Sequence, residues 1–135
     1  MINAVNVPVQ EVAVNGIVLF GQTRIRTGCS VRHEPGSGRF VALKPGIYKV
    51  SFSGNVSIPT GGTVAPIILD ITQDGEIVAG GNMEHTPAAV ATPENVSTTV
   101  LIQVYCNCCV PISVRNDGTT PINVEDANFV ITREC

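Results

Sequence analysis

Gly38-Arg39-Phe40-Val41-Ala42-Leu43-Lys44-Pro45-Gly46-Ile47-Tyr48-Lys49-Val50-Ser51-Phe52 is the stretch on which the reading of the fold turns. A short apolar run meets Lys44-Pro45-Gly46, and a second run follows in which Tyr48, Val50 and Phe52 share one parity. Proline presets one turn dihedral and glycine tolerates positive φ, so the chain is expected to reverse here as a β-hairpin. The alternation then runs on, with Gly54, Val56 and Ile58 keeping the parity of Tyr48 as far as Pro59-Thr60-Gly61-Gly62. A period of two over that length marks a half-buried strand.

Outward from this stretch the same text repeats. Towards the C-terminus, Ile67, Leu69 and Ile71 fall on one face, Gln73-Asp74-Gly75 reads as a hairpin turn, and residues 76–83 return, weakened by Gly80-Gly81. Residues 84–95, with Pro87 and Pro93, read as a loop. Val96, Thr98, Val100, Ile102 and Val104 then alternate with polar neighbours until Cys106-Asn107-Cys108-Cys109 interrupts them. Ile112 and Val114 resume the pattern, with Pro111, Ser113 and Arg115 facing outward. Asn116-Asp117-Gly118 is another turn, and residues 122–132, including Phe129, close the chain with a bulge expected at Asp126-Ala127-Asn128.

Towards the N-terminus, Glu34-Pro35-Gly36-Ser37-Gly38 is a turn signal, preceded by Cys29, Val31 and His33 on one parity. Ile17-Val18-Leu19-Phe20 reads as a short buried strand. In residues 1–15, Val5, Val7 and Val9 alternate around Pro8, which predicts an extended N-terminal arm or edge strand able to anchor the domain formed by residues 16–135. The sum is eight to ten short strands, turn signals every 8–12 residues and no helical period. That pattern is all-β, an antiparallel sandwich or barrel.

Composition narrows the function classes. Hydrophobic residues make up 44% of 135 residues while charged residues reach only 14%, so part of the apolar surface is expected to be covered by a partner. The formal net charge of −3 comes with no basic patch, which argues against nucleic acid as a partner. No stretch reaches the ~18 apolar residues of a membrane helix, so no membrane partner is expected. The N-terminal residues lack a basic, then apolar, leader pattern, and synthesis and folding in a bacterial cytoplasm are expected.

Ser30-Val31-Arg32-His33-Glu34-Pro35-Gly36-Ser37-Gly38-Arg39-Phe40, followed by Lys44-Pro45-Gly46-Ile47-Tyr48-Lys49-Val50-Ser51-Phe52, resembles the signature of tumour-necrosis-factor-like jelly rolls. The resemblance is to the branch that includes complement-type globular heads, the C-terminal domains of collagen-like spore-surface proteins and phage decoration or head-fibre proteins. Thr98 to Val104, Ile112 to Thr119 and Asn128 to Thr132 are similar to the late strands of that family, so the likeness spans residues 17–133. It implies a two-sheet jelly roll assembling as a homotrimer, with Phe40, Tyr48, Val50, Phe52, Val100, Ile102, Val104, Ile112, Val114 and Phe129 as core and trimer scaffold. No Gly-X-Y stalk is present, and the cysteine cluster lies outside the family pattern.

Chemistry-bearing residues are few. His33 and His85 are the two histidines, and no nucleophile elbow or triad context accompanies either, so no catalytic residue is assigned and both are expected at the surface or in turns. Asp70, Asp74 and Asp117 carry oxygens but do not form an acidic loop of the calcium type. Cys106, Cys108 and Cys109 admit three readings: a metal site, a disulfide (within or between chains, with Cys29 or Cys135 as further partners), or free loop thiols. No cofactor is expected.

Three functions follow in order. The first is a non-enzymatic structural protein, a homotrimer decorating a larger assembly, with a bacteriophage major capsid protein or another virion or surface-layer protein as partner and the virion exterior as location. The second is a binding module at a bacterial spore or cell surface that recognises a glycan or protein. The third and remotest is a cysteine- or metal-dependent enzyme.

Overall fold

A computed structural model describes residues 1–105 and 109–134. The alternating stretches become eleven strands: β1 (Ile2–Asn6), β2 (Gln10–Val12), β3 (Gln22–Arg26), β4 (Val31–His33), β5 (Phe40–Ala42), β6 (Gly46–Ser57), β7 (Ile67–Gln73), β8 (Glu76–His85), β9 (Glu94–Val104), β10 (Val110–Asn116) and β11 (Ile122–Arg133). They pair antiparallel in two sheets, β3-β1-β11-β6-β9 with β2 also on β11, and β4-β5-β10-β7-β8. The described residues contain no helix. The architecture is the expected all-β sandwich, with strands added at the N-terminal end.

Lys44-Pro45-Gly46 is not a hairpin turn. β5 pairs with β4 and β10 in one sheet, whereas β6 pairs with β11 and β9 in the other, so the turn carries the chain across the end of the sandwich. Apolar residues on both sides of a turn report a shared core, and that core can be a sheet face or the space between two sheets. Phe40 and Phe52 enter it from opposite sheets. The Tyr48 hydroxyl donates to the Lys44 carbonyl at 2.7 Å, and Arg133 Nη2 donates to the Pro45 carbonyl at 2.7 Å, which fixes the crossover.

Residues 1–15 are not an arm, and β1 is not an edge strand, because it is hydrogen-bonded between β3 and β11. The reason lies in parity. The core takes Ile2, Ala4 and Val12, whereas Val5 is half-buried and Val7 and Val9 stand 59% and 55% exposed. The three valines alternate as predicted but on the side turned away from the core.

The core gathers all four phenylalanines. Phe40 stacks on Phe129 with ring centroids 4.1 Å apart, and Phe20 meets Phe40 edge-on at 5.4 Å. Phe40, Tyr48, Val50, Phe52, Val100, Ile102, Val104, Ile112, Val114 and Phe129 are all buried in this cluster. Phe20 reaches it from an irregular segment rather than a strand, since Ile17 makes only a single bridge to Arg115. Close packing there requires Gly38, where an added Cβ would sit 2.4 Å from the Val18 carbonyl oxygen. In the β7–β8 hairpin, Asp74 and Gly75 both take positive φ, 54° and 82°, as the Asp-Gly pair predicts. The β11 register shifts between Glu125 and Asn128, at the expected bulge.

Candidate interaction surfaces

The outward face of the six-stranded sheet is built from the polar parity of its long strands. Register aligns Ile25, Asn3, Val130, Ser51 and Thr99 in one row across five strands. Gln22, Val5, Asn128, Ser53 and Ser97 form the adjacent row. Neither row contains a charged residue. Lys49 and Glu125 stand in the rows on either side. Hydroxyls and amides there bond one another: Ser51 Oγ with Thr99 Oγ1 at 2.9 Å, and Asn3 Nδ2 to Asn128 Oδ1 at 2.6 Å. Arg24, from the β3 bulge, donates to Asn3 Oδ1 at 3.1 Å.

Along the edge where β8 and β9 close the sandwich, large apolar side chains stand in solvent. Leu101 is 66% exposed, Tyr105 79% and Ile77 56%. Ile77 and Tyr105 line a depression of about 490 Å³ with Val78, Ala79 and Val110. Exposed apolar groups clustered at one edge are the usual signature of a covered surface.

The outward face of the five-stranded sheet differs in kind. Arg115 donates from Nε and Nη2 to the two oxygens of Asp117, at 2.5 and 3.2 Å, and from Nη1 to the Gly75 carbonyl at 3.0 Å. Asn82 Nδ2 donates to Asp70 Oδ1 at 2.9 Å. Burial, and then the adjoining Asp117 carboxyl, push the Asp70 carboxyl above its ordinary range. Burial acts on Asp117 in the same sense, but the hydrogen bonds from Arg115 and Asp70 outweigh it and hold Asp117 low. As pH falls the pair therefore takes up a proton at Asp70 before Asp117. Asp70 and Asp117 converge on a guanidinium, which disfavours a cation between them, and Asp74 lies apart on the hairpin turn.

Beside this network Thr72 and Ser113 are buried, their hydroxyls 2.9 Å apart. They belong to a cavity of about 330 Å³ walled by Asn15, Ile17, Arg39, Asp74, Pro111 and Arg115.

The histidines part company. His33, expected at the surface, is buried and stacks on Phe40 with ring centroids 4.3 Å apart. The parity it shares with Val31 was the signal for burial. Its Nε2 lies 2.8 Å from the Ser37 carbonyl, which can only accept, so Nε2 carries the proton and Nδ1 accepts from the Thr23 hydroxyl at 2.8 Å. Desolvation is the largest influence on this ring and lowers its pKa, against the Ser37 hydrogen bond that raises it. His85, at the end of β8, has a buried Nε2 without a partner among the described residues.

Cys29 is exposed and makes no disulfide within the chain, and Lys44 Nζ lies 3.5 Å from its sulfur. Cys109 is disulfide-bonded. Cys106, Cys108 and Cys135 lie outside the described residues. Among the described residues, no three His, Cys, Asp or Glu side chains gather as metal ligands.

No family model matches the chain, and no curated protein sequence matches it. Solved structures do match in fold. The globular domain of zebrafish complement 1qA protein superposes with a TM-score of 0.67 at 10% identity, covering 96% of this chain and 94% of that one. Murine APRIL gives 0.62 at 12% identity over 95% and 96% of the two chains. The PRD1 vertex protein P5 gives 0.60 at 13% identity over 98% and 94%. The fold is thus a tumour-necrosis-factor/complement-head-like jelly roll, shared at identities that speak to architecture alone.

Proposed function

We propose that this chain is a non-enzymatic structural protein, a homotrimer that decorates the exterior of a bacteriophage capsid. The observation that carries the reading is the pair of uncharged rows crossing five of the six strands of the larger sheet. A sheet face left in water ordinarily interleaves both signs of charge. Ten neutral or apolar residues in two rows suit a face that a copy of the same chain covers, since the rows themselves bring no charge to desolvate and Arg24 at their margin is already bonded to Asn3. The exposed Leu101, Tyr105 and Ile77 on the neighbouring edge extend the surface available for that contact. The PRD1 vertex protein, which has this fold, supports the placement on a virion.

A second reading, a surface module at a spore or cell surface that recognises a glycan or protein, draws on the polar cavity of the other sheet. Light scattering on the purified chain tests the assembly. The expected particle has three times the 14.2 kDa chain mass and binds undecorated phage shells. A monomer without shell affinity overturns the proposal.

A further inference from the structure

We infer that the cavity on the five-stranded sheet binds a neutral saccharide ring. Its volume of about 330 Å³ lies at the small end of ligand sites, the scale of one sugar unit. Its polar groups are unspent. The Arg39 guanidinium, the Asn15 amide and the Asp74 carboxylate make no side-chain hydrogen bond among the described residues. Arg115 commits three N–H groups to Asp117 and Gly75, leaving two of its roughly five donors. At the floor, the Thr72 and Ser113 hydroxyls bond each other and keep further lone pairs for a ligand.

Several of these groups are held in place. Asn15 and Asp74 sit on backbone of positive φ, 65° and 54°, and Arg115 is clamped on both sides. Binding therefore finds Arg115 and the floor hydroxyls already ordered, and has the Arg39, Asn15 and Asp74 side chains to order. Pro111 and Ile17 supply apolar patches against which the carbon face of a ring can lie.

Charge selects among polar ligands. Arg39 and Arg115 are matched by Asp74 in the wall and by Asp117, which neutralises Arg115 from behind. A phosphate or a nucleotide needs a net positive cradle, and an apolar ligand would leave the Arg39 and Asp74 side chains without partners. A neutral compound rich in hydroxyls, able to donate to Asp74 and accept from Arg39 at once, satisfies the whole set. The site faces away from the two uncharged rows and stays open when they are covered, so it stands apart from the proposed trimer.

The test is titration of the full chain in its native assembly with methyl β-D-glucoside, methyl β-D-galactoside and N-acetyl-D-glucosamine, read by amide chemical shifts. D-glucuronate serves as the acidic arm. At least one neutral sugar is expected to shift Thr72, Gly75 and Ser113 resonances saturably, with little dependence on salt. Arg39→Ala and Asp74→Ala are each expected to weaken that binding about tenfold or more, the scale of a lost hydrogen bond to a charged group. Arg32→Ala, on the same sheet but outside the cavity, is expected to leave it unchanged. Binding of D-glucuronate alone, a steep fall with salt, shifts absent from the cavity, or equal affinity in the Arg39 and Asp74 variants would each overturn the assignment. The particle mass measured alongside reads the trimer separately.

Discussion

The two sheets share one core and turn opposite chemistries to the outside. On the five-stranded sheet, Arg115, Asp117, Asp70 and Asn82 answer one another in a charged network beside a polar cavity. On the six-stranded sheet, the equivalent parity carries Ser51, Ser53, Ser97, Thr99, Asn3 and Asn128, none of them charged, with Ser51 bonded to Thr99 and Asn3 to Asn128. The same alternation makes both, because one side of every strand must be apolar and the other is free. What fills the free side therefore records what the face meets. On the reading proposed above, the difference separates a sheet that another copy of the chain covers from one left to water and small solutes.

The largest effect is expected where the two sheets are least distinct. Phe129, from the six-stranded sheet, stacks on Phe40 from the five-stranded sheet and touches Phe20. Phe129→Ala leaves a cavity at the point where both layers meet, and a loss of about 3–5 kcal/mol in unfolding free energy is expected. Chemical denaturation measures it. A loss below about 1 kcal/mol would mean that the sheets hold together elsewhere, and the comparison of two faces over one core would fail.

Much of this could be read in the sequence, for a physical reason that also sets the limit. Period-two burial is local, so Tyr48, Val50 and Phe52, or Val100, Ile102 and Val104, announce their inward face without any knowledge of partners. Which sheet a strand joins is decided by pairing with residues far along the chain. That is why Lys44-Pro45-Gly46 read as a hairpin and proved to be a crossover between sheets. The N-terminal segment shows the same limit, since β1 is an interior strand only because β11 and β3 flank it. The cavity was illegible because Arg39, Thr72 and Ser113 meet through long-range pairing of β5, β10 and β7. The uncharged rows were legible in principle, since Ser51, Ser53, Asn55 and Ser57 already show a polar parity without charge.

A smaller, more selective effect separates the faces. Ser51 lies at the centre of an uncharged row, half-buried and bonded to Thr99. Ser51→Arg places a charge where the proposed neighbour's surface would have to desolvate it. The particle mass is expected to fall to that of one chain, while the stability of the separated chain changes by only about 0.5 kcal/mol, as for surface substitutions generally. Arg32→Glu on the other sheet is expected to leave the mass unaltered. A trimer that survives Ser51→Arg would move the contact off these rows.

The smallest effect lies on the seam that joins the two faces. His33, on β4 of the five-stranded sheet, accepts from Thr23 on β3 of the six-stranded sheet, and it is the neutral ring that fits. Glu34 favours the charged ring and Arg26 opposes it, but desolvation is the larger influence and sets the folded pKa below the ordinary 6.5. The unfolded chain therefore binds the proton first as pH falls. Stability is undiminished above about pH 6.5, declines as pH drops through that value, and the whole penalty is present once pH lies below the folded pKa. His33→Gln keeps a side chain able to reach Thr23 and Ser37 but removes the titration. Thermal unfolding followed from neutral pH down to about pH 5 is expected to show a steeper decline for the natural chain than for this variant. Parallel declines would take His33 out of the acid response and leave the joint between the sheets indifferent to the proton.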